Sequence, residues 1–281
     1  MPETDHRRRR FLKGAAAAGL AGLSGVLGYG SLVEPFDYEL TETDIPVRDL
    51  PESFDNFRIG QLTDIHHSSL VPIEEVRRAV ELANRTRPDV FVLTGDYTTG
   101  RRRYIEPCAA ALGELKAPCG VWAVLGNHDH LTDAELTARA LSGRGVNVLI
   151  NASTVLRRGD ETLQLTGVDD WGWGKADWPR AFYGLDLARP TVLLSHEPAV
   201  FDVAETRGIS LTISGHTHGG QIRLPFIGAP VGYLSEEFHY LGGLYERGDA
   251  RLYVSRGTGM TGLPIRLGAR PEIAVLRLRR V

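Results

Sequence analysis

Five times along this chain a short apolar run, rich in Val, Ile and Leu, stops at a cluster of Gly, Asp, Asn and His. The runs are FRIGQL before Thr63-Asp64-Ile65-His66, DVFVL before Thr94-Gly95-Asp96, GVWAVL before Gly126-Asn127-His128-Asp129, TVLL before Ser195-His196-Glu197-Pro198, and ISLTI before Ser214-Gly215-His216-Thr217-His218. Near-continuous apolar runs of this length read as strands buried on both faces, so each polar cluster falls at a strand's C-terminal end. Helical spacing fills several of the intervals. Pro72 to Thr86 carries Ile73, Val76 and Val80 on one face, Ile105 to Leu115 is similar, and Thr132 to Leu141 opens with Thr132 and Glu135 as a capping box. Alternating strands and helices predict a β-α-β core, with the clusters gathered outside the carboxyl ends of its strands.

Past residue 150 the pattern changes. Alternating segments flank turns at Arg158-Gly159-Asp160 (Thr154–Arg158, Thr162–Thr166) and at Gly248-Asp249 (Gly243–Arg247, Arg251–Ser255), and they predict antiparallel hairpins. A last strand covers Glu272–Leu278. The expected assembly is an α/β fold of two mixed sheets covered by helices.

With 42% hydrophobic and 24% charged residues, the chain can build a sizeable core, and no internal linker or repeat divides it. The net charge is −3. Residues 1–30 carry +3, which leaves −6 on the remainder and no electrostatic footprint for nucleic acid. The run Arg101-Arg102-Arg103 reads as a solvated loop. Two cysteines, Cys108 and Cys119, exclude a disulfide scaffold and a Cys-rich zinc site, and leave a single bridge or free buried thiols open.

The basic stretch HRRRRFLK, His6 to Lys13, leads into uncharged, Ala- and Gly-rich residues from Gly14 to Val33. This is the layout of an export signal, and Arg8 and Arg9 followed by Phe11-Leu12-Lys13 resemble the twin-arginine type. Residues 1–33 are therefore expected to be a signal or anchor, 34–54 a leader, and 55–281 the folded domain. About 20 uncharged residues also just suffice to span a bilayer, and no clean cleavage site follows them, so the segment can persist as a tether. The expected location is periplasmic, in the cell wall, or on the outer face of the cytoplasmic membrane.

One His or one Asp-Gly beside a strand is usually structural; five clusters in equivalent topological places are not. Imidazole and carboxylate together suit Mn, Zn or Fe, and a carboxylate can bridge two cations with its two oxygens. Two ions about 3.5–4 Å apart can activate a water to hydroxide and hold phosphate oxygens, so no side-chain nucleophile is required. The sequence has neither a Gly-x-Ser-x-Gly elbow nor a Walker-type phosphate loop to compete with that reading.

Asp64-x-His66, Gly95-Asp96, Gly126-Asn127-His128-Asp129, His196 and Gly215-His216-Thr217-His218 resemble, in order and spacing, the full motif series of the calcineurin-like metallophosphoesterases, over residues 55–278. The stretches 218–225 (HGGQIRLP) and 255–266 are similar to an exported or membrane-associated bacterial subgroup, some of whose members act on UDP-2,3-diacylglucosamine or other phosphodiesters. The resemblance implies two packed mixed sheets flanked by helices, an αββα sandwich. It implies one divalent ion on Asp64, His66 and His218, a second on Asn127, His196 and His216, and Asp96 bridging. A metal-bridging hydroxide would then cleave a phosphodiester or pyrophosphate bond while His128 protonates the leaving oxygen and Asp129 orients His128.

His67 faces away from His66 on an extended chain and is a minor candidate for substrate contact. Trp171, Trp173 and Trp178, with Phe226, Tyr233, Phe238, His239 and Tyr240, are candidates to line a pocket for an apolar or lipid-like substrate, or else loop packing. The alternatives to a diesterase are a phosphomonoesterase or nucleotidase that scavenges phosphate, and, more distantly, a non-catalytic binding module on the same fold. A monoester would need an additional cation, for which Arg223, Arg256 and Arg266 are candidates. Oligomeric state is not legible.

Overall fold

A computed structural model describes residues 3–233 and 239–281. Each of the five apolar runs is a strand. They are β2 (Arg58–Leu62), β3 (Val90–Thr94), β4 (Val121–Val124), β8 (Thr191–Leu194) and β9 (Leu211–Ser214). Every residue of β3, β8 and β9 is buried, as expected for strands covered on both faces.

The strands form two six-stranded sheets. The first runs β1 (Glu39–Val47), β12 (Glu272–Arg280), β2, β3, β4, β5 (Asn147–Val148); only the β12–β2 pair is antiparallel. The second runs β10 (Gly243–Arg247), β11 (Ala250–Val254), β9, β8, β7 (Glu161–Gly167), β6 (Ala152–Arg158), with the two expected hairpins as its antiparallel edges. Residues 34–54, read from sequence as a leader, carry β1, which pairs with the last strand of the chain. The edge strand β1 bears exposed Glu42 and Asp44, charges that discourage another chain from pairing there.

Between the sheets lies an apolar core that includes Phe54, Phe57, Val92, Leu165, Ile213 and Leu276. Helices α2 (Ile73–Arg85), α3 (Ile105–Leu112) and α5 (Ala134–Ser142) cover the outer face of the first sheet through Val76, Val80, Leu112 and Leu141. The short helices α6 (Trp178–Ala181) and α7 (Phe201–Thr206) cover the second. The order helix, sheet, sheet, helix is the predicted αββα sandwich.

One local expectation is corrected. Thr132 does not cap α5, because it ends the preceding helix α4 (Asn127–Thr132); Asp133 takes the capping position and its carboxylate accepts the Leu136 N–H at 3.0 Å. Glu135 pairs with Arg139 one turn later. Cys108 and Cys119 are both free thiols, and Cys108 is buried against the Tyr97 carbonyl. The basic run is a surface segment, as expected: Arg102 pairs with Asp133 and Arg103 lies over Tyr104.

At the N-terminus α1 (Glu3–Leu32) is the one described helix long and apolar enough to cross a membrane. Its last turn and the following residues dock on the domain. The Gly30 carbonyl accepts the Arg266 N–H at 2.8 Å, and the buried Glu34 carboxylate accepts the Ala269 N–H at 2.8 Å.

Candidate metal centre

All seven predicted ligands converge where the carboxyl ends of the two sheets meet. Each lies two to four residues beyond its strand: Asp64 and His66 after β2, Asp96 after β3, Asn127 after β4, His196 after β8, His216 and His218 after β9. Such short connections need unusual backbone. Asp64, His66, Asp96, His216 and His218 all adopt positive φ, between 51° and 72°. Non-glycine residues held in that region cost of order 1–3 kcal/mol each and cluster where function requires them. Close approach also excludes side chains: a Cβ on Gly126 would collide with the Asp96 carboxylate and lie 2.8 Å from His196.

Three triads each place one ligating atom per residue within 4.8 Å of the others: Asp64, His66 and His218; Asp96, His196 and His216; and, sharing two members with these, His66, Asp96 and His128. Across the first, His66 Nε2 lies 3.0 Å from His218 Nε2, and His218 Nε2 3.4 Å from Asp64 Oδ1. Across the second, His196 Nε2 lies 3.1 Å from His216 Nδ1 and 3.0 Å from Asn127 Oδ1. Asp96 Oδ2 sits between them, 3.5 Å from His66 Nε2 and 3.3 Å from His196 Nε2.

The donor set fits cations. Asn127 turns its oxygen toward the Asp96 carboxylate and His196, whereas the reversed amide would donate to both Asp96 oxygens at 3.2–3.3 Å. Acceptors facing acceptors is the arrangement that an intervening positive ion satisfies. The His196 Nδ1–H donates to the Thr94 carbonyl at 2.7 Å, which points the Nε2 lone pair inward; Thr99 Oγ1 holds His66 Nδ1 at 2.7 Å. Burial lowers the His66 pKa to about 3, so it is the neutral imidazole a metal requires. Burial alone would lower His196 as well, but Asp96 outweighs it and drives that pKa well above normal. Burial opposes ionisation of Asp96 too, yet His196 and His66 overcome it and keep the carboxylate charged.

The half-buried His128 lines the cleft and packs edge-on against His66, with ring centroids 4.8 Å apart. Asp129 does not orient it. The Asp129 carboxylate instead accepts the backbone N–H groups of Gly126 and Asp96 at 2.9 Å and Tyr97 at 3.0 Å. It sits fully buried at the third position of α4, so it reaches its own helix start and the β3 loop rather than outward to the cleft. Asp129 thus ties the Asp96 loop to the Asn127 loop. Burial, followed by the Asp96 charge, raises its pKa.

The cleft has a volume of about 290 Å³, and His128, His216, Gln221, Val231 and Thr261 are among the residues that line it. A larger cleft of about 810 Å³ lies at the opposite strand ends, beside Pro88 and Pro118, where no such donors gather. Other sequence candidates fall elsewhere. His67 is buried and bonds the Val71 carbonyl at 2.9 Å. Trp178 packs in a core on the second sheet with Phe182, Trp171 touches its edge, and neither they nor the exposed Trp173 line the cleft. Tyr240 is buried against Phe201 and Tyr245, with His239 on its edge. Phe226 is fully exposed; Phe238 and the side chain of Tyr233 lie outside the described residues.

Two groups escaped sequence reading, and a third, Arg266, takes a different place from the substrate cation it was a candidate for. The Thr94 carbonyl and the Thr99 hydroxyl hold the His196 and His66 imidazoles, and Arg266, fully buried, donates to the Gly259 and Ala269 carbonyls at 2.9 and 2.8 Å and approaches His218 Nδ1 at 3.3 Å. Burial lowers the Arg266 pKa to about 10, which leaves it charged at neutral pH. A single Thr carries no spacing signal that would have marked it.

Comparison with known proteins places these residues in context. The family model for calcineurin-like phosphoesterases matches residues 57–220. The chain is 36% identical to the uncharacterized metallophosphoesterase YkuE of Bacillus subtilis, covering 97% of both chains. It is 33% identical to phosphodiesterase YaeI of Escherichia coli, over 96% of this chain and 98% of that one. A transmembrane protein with metallophosphoesterase domain from Bos taurus is 32% identical, over 98% of this chain and 64% of that protein.

Proposed function

The chain belongs to the calcineurin-like phosphoesterase family, a family of metal-dependent hydrolases, and from that premise we propose that it cleaves a phosphodiester at the outer face of a membrane. The observation that carries the reading is the convergence of acceptor atoms on two points at the seam of the sheets. In this reading Asp64, His66 and His218 hold one divalent ion, Asn127, His196 and His216 hold the other, and Asp96 bridges them. When bound, a pair of divalent cations supplies activation of water and neutralisation of phosphate charge. His128 binds the ester at the cleft wall and passes a proton from its ring nitrogen to the departing oxygen. Asp129 fixes the spacing of the two loops that carry Asp96 and Asn127. The mixed N/O set accepts Mn, Zn or Fe.

Charge favours a diester. Among the described residues no Arg or Lys lines the cleft. Arg256 is spent on Glu39 and Glu272, Arg266 on backbone carbonyls, and Arg223 lies on the exposed loop beyond Gln221. The second negative charge of a monoester therefore meets no cation beyond the metal pair. The name of the Escherichia coli relative points the same way. The membrane placement rests on α1 with its Arg8-Arg9 signal and on the transmembrane description of the bovine relative. A lipid-linked or cell-envelope ester suits that position.

The test is hydrolysis by the full chain loaded with Mn, Zn or Fe. We expect kcat/KM for bis-p-nitrophenyl phosphate to exceed that for p-nitrophenyl phosphate by about tenfold or more, the scale of one unmet charge. The reverse ranking would move the reading to a phosphomonoesterase, and cleavage of neither ester with metal bound would end it. Export is tested by fusing residues 1–40 to a reporter: secretion should stop when Arg8 and Arg9 are replaced by Lys.

A further inference from the structure

One surface feature is unexplained by folding or by the metal site. Leu224 and Gly228 close a tight turn, the Leu224 N–H donating to the Gly228 carbonyl at 2.8 Å and the Gly228 N–H to the Leu224 carbonyl at 2.9 Å. Phe226 stands near the tip with φ 66° and is completely exposed, although bulky residues rarely occupy that region. Ile227 is 54% exposed, and Leu263 on the neighbouring segment 60%. A soluble surface scatters apolar residues singly, whereas adjoining ones on a held backbone mark a contact surface.

We propose that the 222–228 turn and Leu263 form a second membrane contact beside the metal cleft, seated in the lipid interface next to the point where α1 leaves the bilayer. The inference builds on the membrane placement proposed above. Three connections carry it. First, the two apolar segments are joined: Gln221 Nε2 donates to the Thr261 and Leu263 carbonyls at 3.0 and 3.1 Å, and the Arg223 N–H donates to the Leu267 carbonyl at 2.6 Å.

Second, α1 ends on the same segment. The Arg266 N–H bonds the Gly30 carbonyl, and the packing is so close that a Cβ on Gly30 would lie 2.9 Å from the Arg266 carbonyl oxygen and 3.0 Å from the Ile265 side chain. Residues 14–29 give about 24 Å of uncharged helix ahead of the docked Gly30, close to a hydrocarbon core of about 30 Å, so the docking point falls at the headgroup level, a layer of roughly 5–8 Å. Leu263 is three residues from Arg266, and Arg223, at the base of the turn, bonds its neighbour Leu267. Both apolar elements are within reach of that layer.

Third, Gln221 and Thr261, which tie the two segments, also form the rim of the cleft. A bilayer seated on Phe226 and Leu263 would meet this rim, and an amphiphilic phosphodiester could enter with its phosphate leading and its acyl chains still in the leaflet. Aromatic and aliphatic side chains are the types that bury at such an interface.

The test uses the full chain in vesicles of phosphatidylethanolamine and phosphatidylglycerol. Spin labels are placed through Phe226→Cys, Leu263→Cys and, as a control on the β6–β7 turn, Asp160→Cys, each with Cys119→Ser; Cys108 is buried. We expect the labels at 226 and 263 to collide several-fold more with oxygen, which concentrates in lipid, than with a water-soluble nickel chelate, and the label at 160 to show the reverse. Labels at 226 and 263 as nickel-accessible as that at 160 would overturn the proposal. So would shielding from both reagents, the mark of a protein partner. The measurement needs no turnover, so its failure is separable from failure of the phosphodiesterase reading, which the soluble-ester assay decides alone.

Discussion

The two sheets treat their carboxyl ends alike and then diverge. On both, ligands appear two to four residues past the strand, and on both the backbone takes left-handed turns to present them. Beyond that the first sheet passes from β4 directly into α4, while the second runs from His218 through the apolar turn at Phe226 before reaching β10. Neither sheet holds a complete ligand set. In the proposed assignment each ion draws donors from both, so the centre exists only at their seam, and the comparison teaches that chemistry is placed by strand ends while access is shaped by the second sheet's loops.

The comparison can be broken at several points. Asp96→Asn should bring turnover down to background and remove both ions from the purified protein; metal analysis that still finds two would refute the bridging role. His128→Ala should keep both ions while kcat falls by about 10²–10⁴-fold, the range of a lost proton donor, so equal metal loss in the two variants would cancel the distinction. In the proposed assignment the ions join the sheets, so chelation should lower stability by about 2.7 kcal/mol for a site held at a hundredfold excess over its Kd. Calorimetry with and without chelator reads this, and an unchanged Tm would mean the seam holds without metal.

A smaller effect comes from the polar tie between the same sheets. Glu272, at the start of β12, accepts from Thr41 on β1 and from Tyr253 on β11 at 2.7 and 2.8 Å, and its other oxygen accepts the Arg256 N–H. Burial would raise its pKa, but Arg256 and these donors outweigh burial and hold it below 4.5. A depressed carboxylate contributes stability that is present above its unfolded pKa and lost as pH falls through the folded one. Glu272→Gln should therefore cost about 1–3 kcal/mol at pH 7, and its deficit in denaturant midpoint should shrink below pH 4.5; a pH-independent deficit would exclude the charge as the cause. Smallest is Asp133→Ala, which removes the α5 cap at about 1 kcal/mol and should leave kinetics untouched.

The strand order's raw material and the seven convergent residues were legible because each ligand is written directly after an apolar run, a local pattern that survives any tertiary arrangement. Asp129 was misread for the opposite reason. Its neighbour in sequence is His128, but a helical start turns the carboxylate inward to three backbone N–H groups, two of them 32 and 33 residues away. Arg266 looked like a candidate phosphate cation, and only the surrounding carbonyls reveal a buried brace. Thr132 satisfied a capping pattern that the end of α4 had already occupied.

By itself the sequence determined the chemistry: apolar period and length set the strands, and the residue types at their ends set a nitrogen and oxygen donor set suited to paired cations. It also set an N-terminal helix long enough for a bilayer. The tertiary structure decided which donors face each other, that β1 closes the first sheet against β12, and that the end of α1 docks on the Ile265–Arg266 segment. Those outcomes join residues far apart in the chain, and local pattern cannot encode them because each depends on how two already formed surfaces pack.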